Sequence, residues 1–153
     1  MAFSVIETRD VMVPMRDGVR LAADIWRPDT DAPAPVLVSR TPYGKAMIAL
    51  MSAPVELAEA GFAVVLQDCR GRFGSQGDWG YVHCEVEDGY DTVEWAAHLP
   101  WSDGRVDTYG QSYLCAVQYL MAPTRPPHLR ATRSACLTPP LRHRPRFPRA
   151  AEN

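Results

Sequence analysis

Apolar residues in this chain fall into short dense runs, separated by stretches rich in proline, glycine and charge. Val11-Met12-Val13 reads as a strand, Arg16-Asp17-Gly18 as a turn, and Leu21 to Trp26 as a second strand. Two strands across an Asp-Gly turn predict an antiparallel hairpin. After a loop with three prolines, Val36-Leu37-Val38 is wholly apolar, the pattern of a strand buried on both faces. Residues 46 to 60 carry Ala, Met, Leu and Glu; Pro54 divides them, and Pro54 to Ala60 suits a helix with proline in its first turn and Gly61 at its end. Phe62 to Leu66 is another buried run. A helix between two buried strands is a crossover, so the sheet is predicted to be parallel there.

Asp88 to His98 reads as a helix, with Asp88 as its cap and Val93, Ala96 and Ala97 on one face. His98 then serves the free carbonyls at the helix end. Val106 to Tyr109 leads into Gly110-Gln111-Ser112-Tyr113 and a helix to about Leu120. Leu129 to Cys136 reads as a last strand. The order predicts an α/β protein with a mostly parallel sheet and an antiparallel N-terminal hairpin.

Two loops stand where parallel strands open at their carboxyl ends, the usual place for a ligand crevice. One is Arg40-Thr41-Pro42-Tyr43-Gly44-Lys45, in which Tyr43 is either a packing residue or a site residue. The other, Gln67 to Asp78, has glycines at 71, 74 and 77. That spacing is not G-x-G-x-x-G, and no Gly-Lys-Ser follows, so phosphate or nucleotide binding is not expected. Asp68 and Arg70 are read as structural ion-pair residues. The third feature is the strand–turn–serine–helix of residues 106–114. It is either an ordinary turn or a nucleophile elbow, with Ser112 raised on a sharp turn.

Bulk properties narrow the picture. The chain has 153 residues and a net charge of −2. That is one domain's length, with roughly 70% of the unfolded surface available for burial. Its basic residues are fifteen arginines and one lysine, and four of the arginines lie in Pro139 to Asn153. This Arg/Pro-rich tail (137–153) has no helical or strand period and is expected to be disordered rather than a nucleic-acid patch. Cysteines at 69, 84, 115 and 136 include no Cys-x-x-Cys pair, and no histidine has zinc-finger spacing. Free buried thiols in a reducing compartment, no metal and no cofactor are the expectation. No signal peptide or membrane span is visible, which points to the cytoplasm.

Five motifs together are similar to one family. They are Val11 to Leu21, Arg40 to Lys45, Gln67-Asp68-Cys69-Arg70-Gly71, Asp88 to Trp95, and Gly110-Gln111-Ser112-Tyr113. In this order they resemble the cocaine-esterase and X-Pro dipeptidyl-peptidase group of α/β-hydrolases, over residues 5 to 135. That group also contains α-amino-acid ester hydrolases and glutaryl acylases.

The resemblance implies an α/β-hydrolase fold in residues 1–136, with Ser112 as nucleophile toward a small ester, amide or peptide. It further implies an oxyanion hole made by the N–H of Tyr113 and the hydroxyl of Tyr43. Cys115 departs from the family's usual glycine, and as a rival nucleophile it falls past the turn. The family's order is serine, acid, histidine. After Ser112 the first acid is Glu152, which His128 and His143 both precede, so no such order can be built here. The expectation is therefore an incomplete hydrolase, from a truncated or frame-shifted gene, with an uncovered sheet edge prone to self-association. The other expectation is a non-catalytic remnant or binding module of the same fold.

Overall fold

The computed structural model describes residues 2–135; the tail expected at 137–153 lies outside them. Six strands form one sheet: β1 (Val5–Pro14), β2 (Arg20–Pro28), β3 (Ala34–Thr41), β4 (Ala63–Asp68), β5 (Ser102–Gln111) and β6 (Leu129–Ala135). Their spatial order is β1-β2-β4-β3-β5-β6. β1 and β2 pair antiparallel, β2 joins β4 antiparallel, and β4, β3, β5 and β6 run parallel. Four helices cover the faces: α1 (Lys45–Ser52), α2 (Pro54–Glu59), α3 (Glu85–Ala97) and α4 (Tyr113–Met121).

The side-chain alternation of β4 shows why the sheet needs both layers. Ala63 and Val65 pack into a core with Val36, Val38, Val93, Ala96 and Val106. Val64 and Leu66 pack on the other face with Trp26, Ile48, Ala58 and Leu114. Each apolar side chain of β4 is fully buried. Fully burying a side chain of this kind contributes about 1.5–3 kcal/mol.

The predicted hairpin is present. Its turn has Gly18 at φ 86°, and Asp17 Oδ1 accepts the N–H of Val19 at 3.1 Å. The helix break at Pro54 is also present: Ala53 adopts a left-handed conformation, and Pro54 opens α2.

Two boundaries and one ion pair differ from expectation. β3 runs three residues beyond its apolar core, through Ser39, Arg40 and Thr41, all buried. Polar side chains disguise this extension, because Arg40 finds a partner across the sheet, donating to Gln67 Oε1 at 2.8 Å. α3 begins at Glu85, with Cys84 at its N-cap and no side-chain cap bond. Asp88 is thus no cap; it lies inside the first turn, buried and ion-paired. Asp68 and Arg70 do not pair with each other. Asp68 Oδ1 accepts the N–H of Lys45 at 2.7 Å, supplying the orphan first turn of α1 with an acceptor from a neighbouring strand. Its burial pushes the Asp68 carboxyl up, against the pull of these hydrogen bonds.

Candidate active site

β5 ends at Gln111 and α4 starts at Tyr113, so Ser112 alone makes the turn between them. Its backbone is at φ 55° and ψ −123°. For a non-glycine residue this is strained, by about 1–3 kcal/mol, and such strain persists only where the surroundings enforce it. Pairing of β5 with both neighbours fixes one side. On the other, the N–H groups of Cys115 and Ala116 donate to the Ser112 carbonyl at 3.0 and 3.2 Å. Gly110 makes the turn possible: a Cβ there would stand 2.3 Å from Leu114 Cβ. The Ser112 side chain is exposed. Tyr113, the first residue of α4, has a main-chain N–H with no acceptor inside the helix.

Tyr43 stands in the loop after β3, half-exposed. Its N–H donates to Thr41 Oγ1 at 3.0 Å, and Arg72 Nε donates to the Pro42 carbonyl at 3.1 Å, fastening the loop. The Tyr43 and Tyr113 ring centroids are 6.3 Å apart, edge to face. Trp79 and Tyr81, from the loop after β4, bring their rings to 5.8 and 5.7 Å from that of Tyr113. With Pro42 and Arg72 these four rings line a hollow of about 280 Å³. It lies at the carboxyl ends of β3, β4 and β5. A second hollow of about 370 Å³, between β1–β2 and the α1–α2 turn, shares none of these residues. Trp79 and Tyr81 were not singled out in the sequence. The signal was there, in Asp78-Trp79-Gly80-Tyr81 following a strand.

A buried polar network underlies the hollow. Arg40 Nη1 pairs with Glu85 Oε2 at 2.8 Å, both almost fully buried. Arg70 forks onto Asp88 through Nε at 3.0 Å and Nη2 at 2.6 Å, and its Nη1 reaches Asp17 Oδ2 at 2.7 Å. Thr92 Oγ1 donates to Gln67 Oε1 at 2.9 Å. Tyr113 donates its hydroxyl to Glu85 Oε1 at 3.3 Å. Burial, then the Glu85 charge, raises the Tyr113 phenol above its ordinary value. Buried ion pairs of this kind stabilise little in net terms, but breaking one partner is costly. The network therefore fixes positions, joining β3, β4, α3 and α4 beneath one surface.

Residues 17–143 match the model of a family described as X-Pro dipeptidyl-peptidase (S15 family). The chain belongs to this S15 family. Cocaine esterase from Rhodococcus sp. (strain MB1 Bresler) is 46% identical over 118 residues, 74% of this chain and 20% of the relative. A CocE/NonD family hydrolase from Staphylococcus aureus superposes with a TM-score of 0.72 at 34% identity, covering 84% of this chain and 27% of that one. An aminopeptidase from the marine sediment archaeon Thaumarchaeota archaeon gives 0.74 at 27% identity, over 85% and 25%. The chain thus spans about a fifth of the curated relative and about a quarter of these solved structures. Its fold is the α/β-hydrolase fold over this portion, and the family is one of hydrolases.

Two features of this S15 chain bear on its chemistry. Cys115 is fully buried and disulfide-bonded, whereas Cys69 and Cys84 are free. The expectation of free thiols therefore fails at Cys115, because spacing alone does not show which thiols a fold brings together. Among the described residues, no histidine or carboxylate is hydrogen-bonded to the Ser112 hydroxyl. His98 is at the helix end as expected, its Nδ1 2.7 Å from the Glu94 carbonyl. His128 pairs with Glu94, its Nδ1 2.8 Å from Oε2. His83 is exposed on the short 3-10 turn Tyr81–His83. No helix among the described residues is long and apolar enough to cross a membrane.

Proposed function

We propose that this chain carries the nucleophile and oxyanion-binding half of a serine hydrolase acting on ester or amide bonds, of small acyl or X-Pro dipeptidyl type. One observation carries the reading: Ser112 is exposed in a strained, positive-φ backbone conformation between β5 and α4, next to an aromatic hollow. Ser112 Oγ attacks the carbonyl carbon, its proton passes to a base, and the carbonyl oxygen becomes an oxyanion. The main-chain N–H of Tyr113 and the hydroxyl of Tyr43 are the donors for that oxyanion. The leaving alcohol or amine takes a proton as the acyl-enzyme forms, and water then releases the acid. The hollow of Tyr43, Trp79, Tyr81 and Tyr113 receives an apolar or aromatic part of the substrate. No metal or cofactor enters these steps.

Among the described residues no base is hydrogen-bonded to Ser112, so turnover by this chain alone is expected to be low. That same observation favours the second reading, a non-catalytic module of the same fold. A fluorophosphonate probe separates the two. Labelling of the folded chain that disappears in Ser112→Ala supports the hydrolase. Absence of labelling in folded protein, or labelling that survives Ser112→Ala, supports the non-catalytic module.

A further inference from the structure

The end of the sheet remote from Ser112 carries a second cluster. α3 brings Glu94 and, one turn on, His98 at its C-cap. The segment entering β6 brings His128. One ligand atom from each of the three lies within 4.8 Å of the others. Glu94 and His98 are four residues apart, so a helical path sets them on one face. The two imidazole centroids are 4.9 Å apart at 75°.

Each side chain is already oriented. His98 Nδ1 is 2.7 Å from the main-chain carbonyl of Glu94. A carbonyl only accepts, so Nδ1 carries the hydrogen and Nε2 keeps its lone pair. A main-chain carbonyl on the remote ring nitrogen is how metal-ligating imidazoles are commonly held. His128 is held from two sides, its main-chain N–H donating to Glu94 Oε1 at 3.2 Å and its Nδ1 lying 2.8 Å from Oε2. Glu94 has no arginine or lysine ion pair among the described residues; its carboxylate meets the main-chain N–H and the ring of His128, with His98 within reach.

A Glu94–His128 bond alone would tie α3 to β6, but it gives no role to His98, whose ring stands in contact with that pair while remaining exposed. We propose that Glu94, His98 and His128 form a site for a divalent transition cation of the zinc type. His98 binds through Nε2, His128 through one ring nitrogen and Glu94 through a carboxylate oxygen, with water completing the shell. Two imidazoles and one carboxylate suit zinc and disfavour calcium or magnesium, which take oxygen ligands.

The position defines the role. Ser112 follows the carboxyl end of β5, whereas His128 precedes the amino end of the parallel β6. Five or six strand residues separate these ends, roughly 20 Å. The cation therefore braces the outermost strand against α3 and stands apart from the chemistry at Ser112.

The test is calorimetric titration of the full chain with zinc chloride after chelator treatment, repeated with cobalt(II) to read its visible absorption. One saturable equivalent, with tetrahedral or five-coordinate cobalt bands, is expected. His98→Ala changes an exposed ring, and Glu94→Gln keeps an oxygen acceptor, so both are expected to fold, checked by circular dichroism. Each should weaken zinc at least about tenfold, while His83→Ala leaves affinity unchanged. Failure to saturate below about 1 mM overturns the proposal. So does affinity that His98→Ala and Glu94→Gln leave intact, which would place the zinc elsewhere on the chain.

Discussion

Tyr113 donates its hydroxyl proton to the buried carboxylate of Glu85 at 3.3 Å, which occupies the phenol with the floor of the site. The part of Tyr113 left for an oxyanion is its main chain, while Tyr43 has its half-exposed phenol to offer. The two tyrosines are therefore expected to respond differently to the same substitution. Tyr43→Phe should slow fluorophosphonate labelling of Ser112 by about 10²–10³, the usual loss for one oxyanion donor. Tyr113→Phe should change it by less than about threefold, since the N–H remains. Equal effects, or the reverse order, would remove Tyr43 from the oxyanion hole.

The same hydrogen bond has a pH signature. Burial and the Glu85 charge hold the Tyr113 proton beyond the ordinary phenol range, near 10 in an unfolded chain. Below pH about 10 both states keep the proton and stability does not depend on it. Above that, the unfolded chain releases a proton the folded one retains, so stability falls as pH rises. Urea unfolding should show a midpoint that drops above pH about 10, with a shallower drop in Tyr113→Phe. An identical slope in the variant would contradict the assignment.

Glu85→Gln should destabilise by about 3–5 kcal/mol, because it leaves the Arg40 guanidinium buried without its partner. Adding Arg40→Met should recover part of that loss. Equilibrium urea unfolding of the two single variants and the double variant measures both. Independent, additive effects would mean that the pair is not coupled.

Gly110→Ala places a methyl group 2.3 Å from Leu114 Cβ. The elbow must open to admit it, at a cost of about 1–3 kcal/mol, with slower labelling of Ser112. A thermal melt and a labelling time course, both unchanged, would show the turn to be more tolerant than its geometry implies.

What could be read in the sequence followed a simple physical line. Val36-Leu37-Val38 and the run ending at Leu66 were legible because a doubly buried strand has no polar face to confuse the pattern. The neighbouring Ser39-Arg40-Thr41 and Gln67-Asp68 were not, since their burial depends on partners supplied by other elements. Asp88 looked like a cap because aspartate before an apolar stripe usually is one. Its actual partner, Arg70, lies on a loop eighteen residues earlier, and only folding reveals it. Ser112 was marked as a candidate by its own neighbours, Gly110 and the helix that follows, but choosing between an ordinary turn and a nucleophile elbow took the other four motifs. Trp79 and Tyr81 carry a local aromatic signal, but their place in the hollow is set by Tyr113, the first residue of α4, which local sequence does not reveal. The Glu94–His128 contact spans thirty-four residues and left no local trace.

The placement of β3 between β4 and β5 also sets a timetable. β4 follows β3 closely in the chain, but β5 is complete only roughly forty residues after β4 ends. At about 5–20 residues per second of synthesis, the second side of β3 waits some 2–9 s for its partner. During that interval the growing chain presents an apolar strand edge with unfilled hydrogen bonds, and the serine elbow does not yet exist. The turn at Ser112 thus waits on β5, the strand that fills the second side of β3.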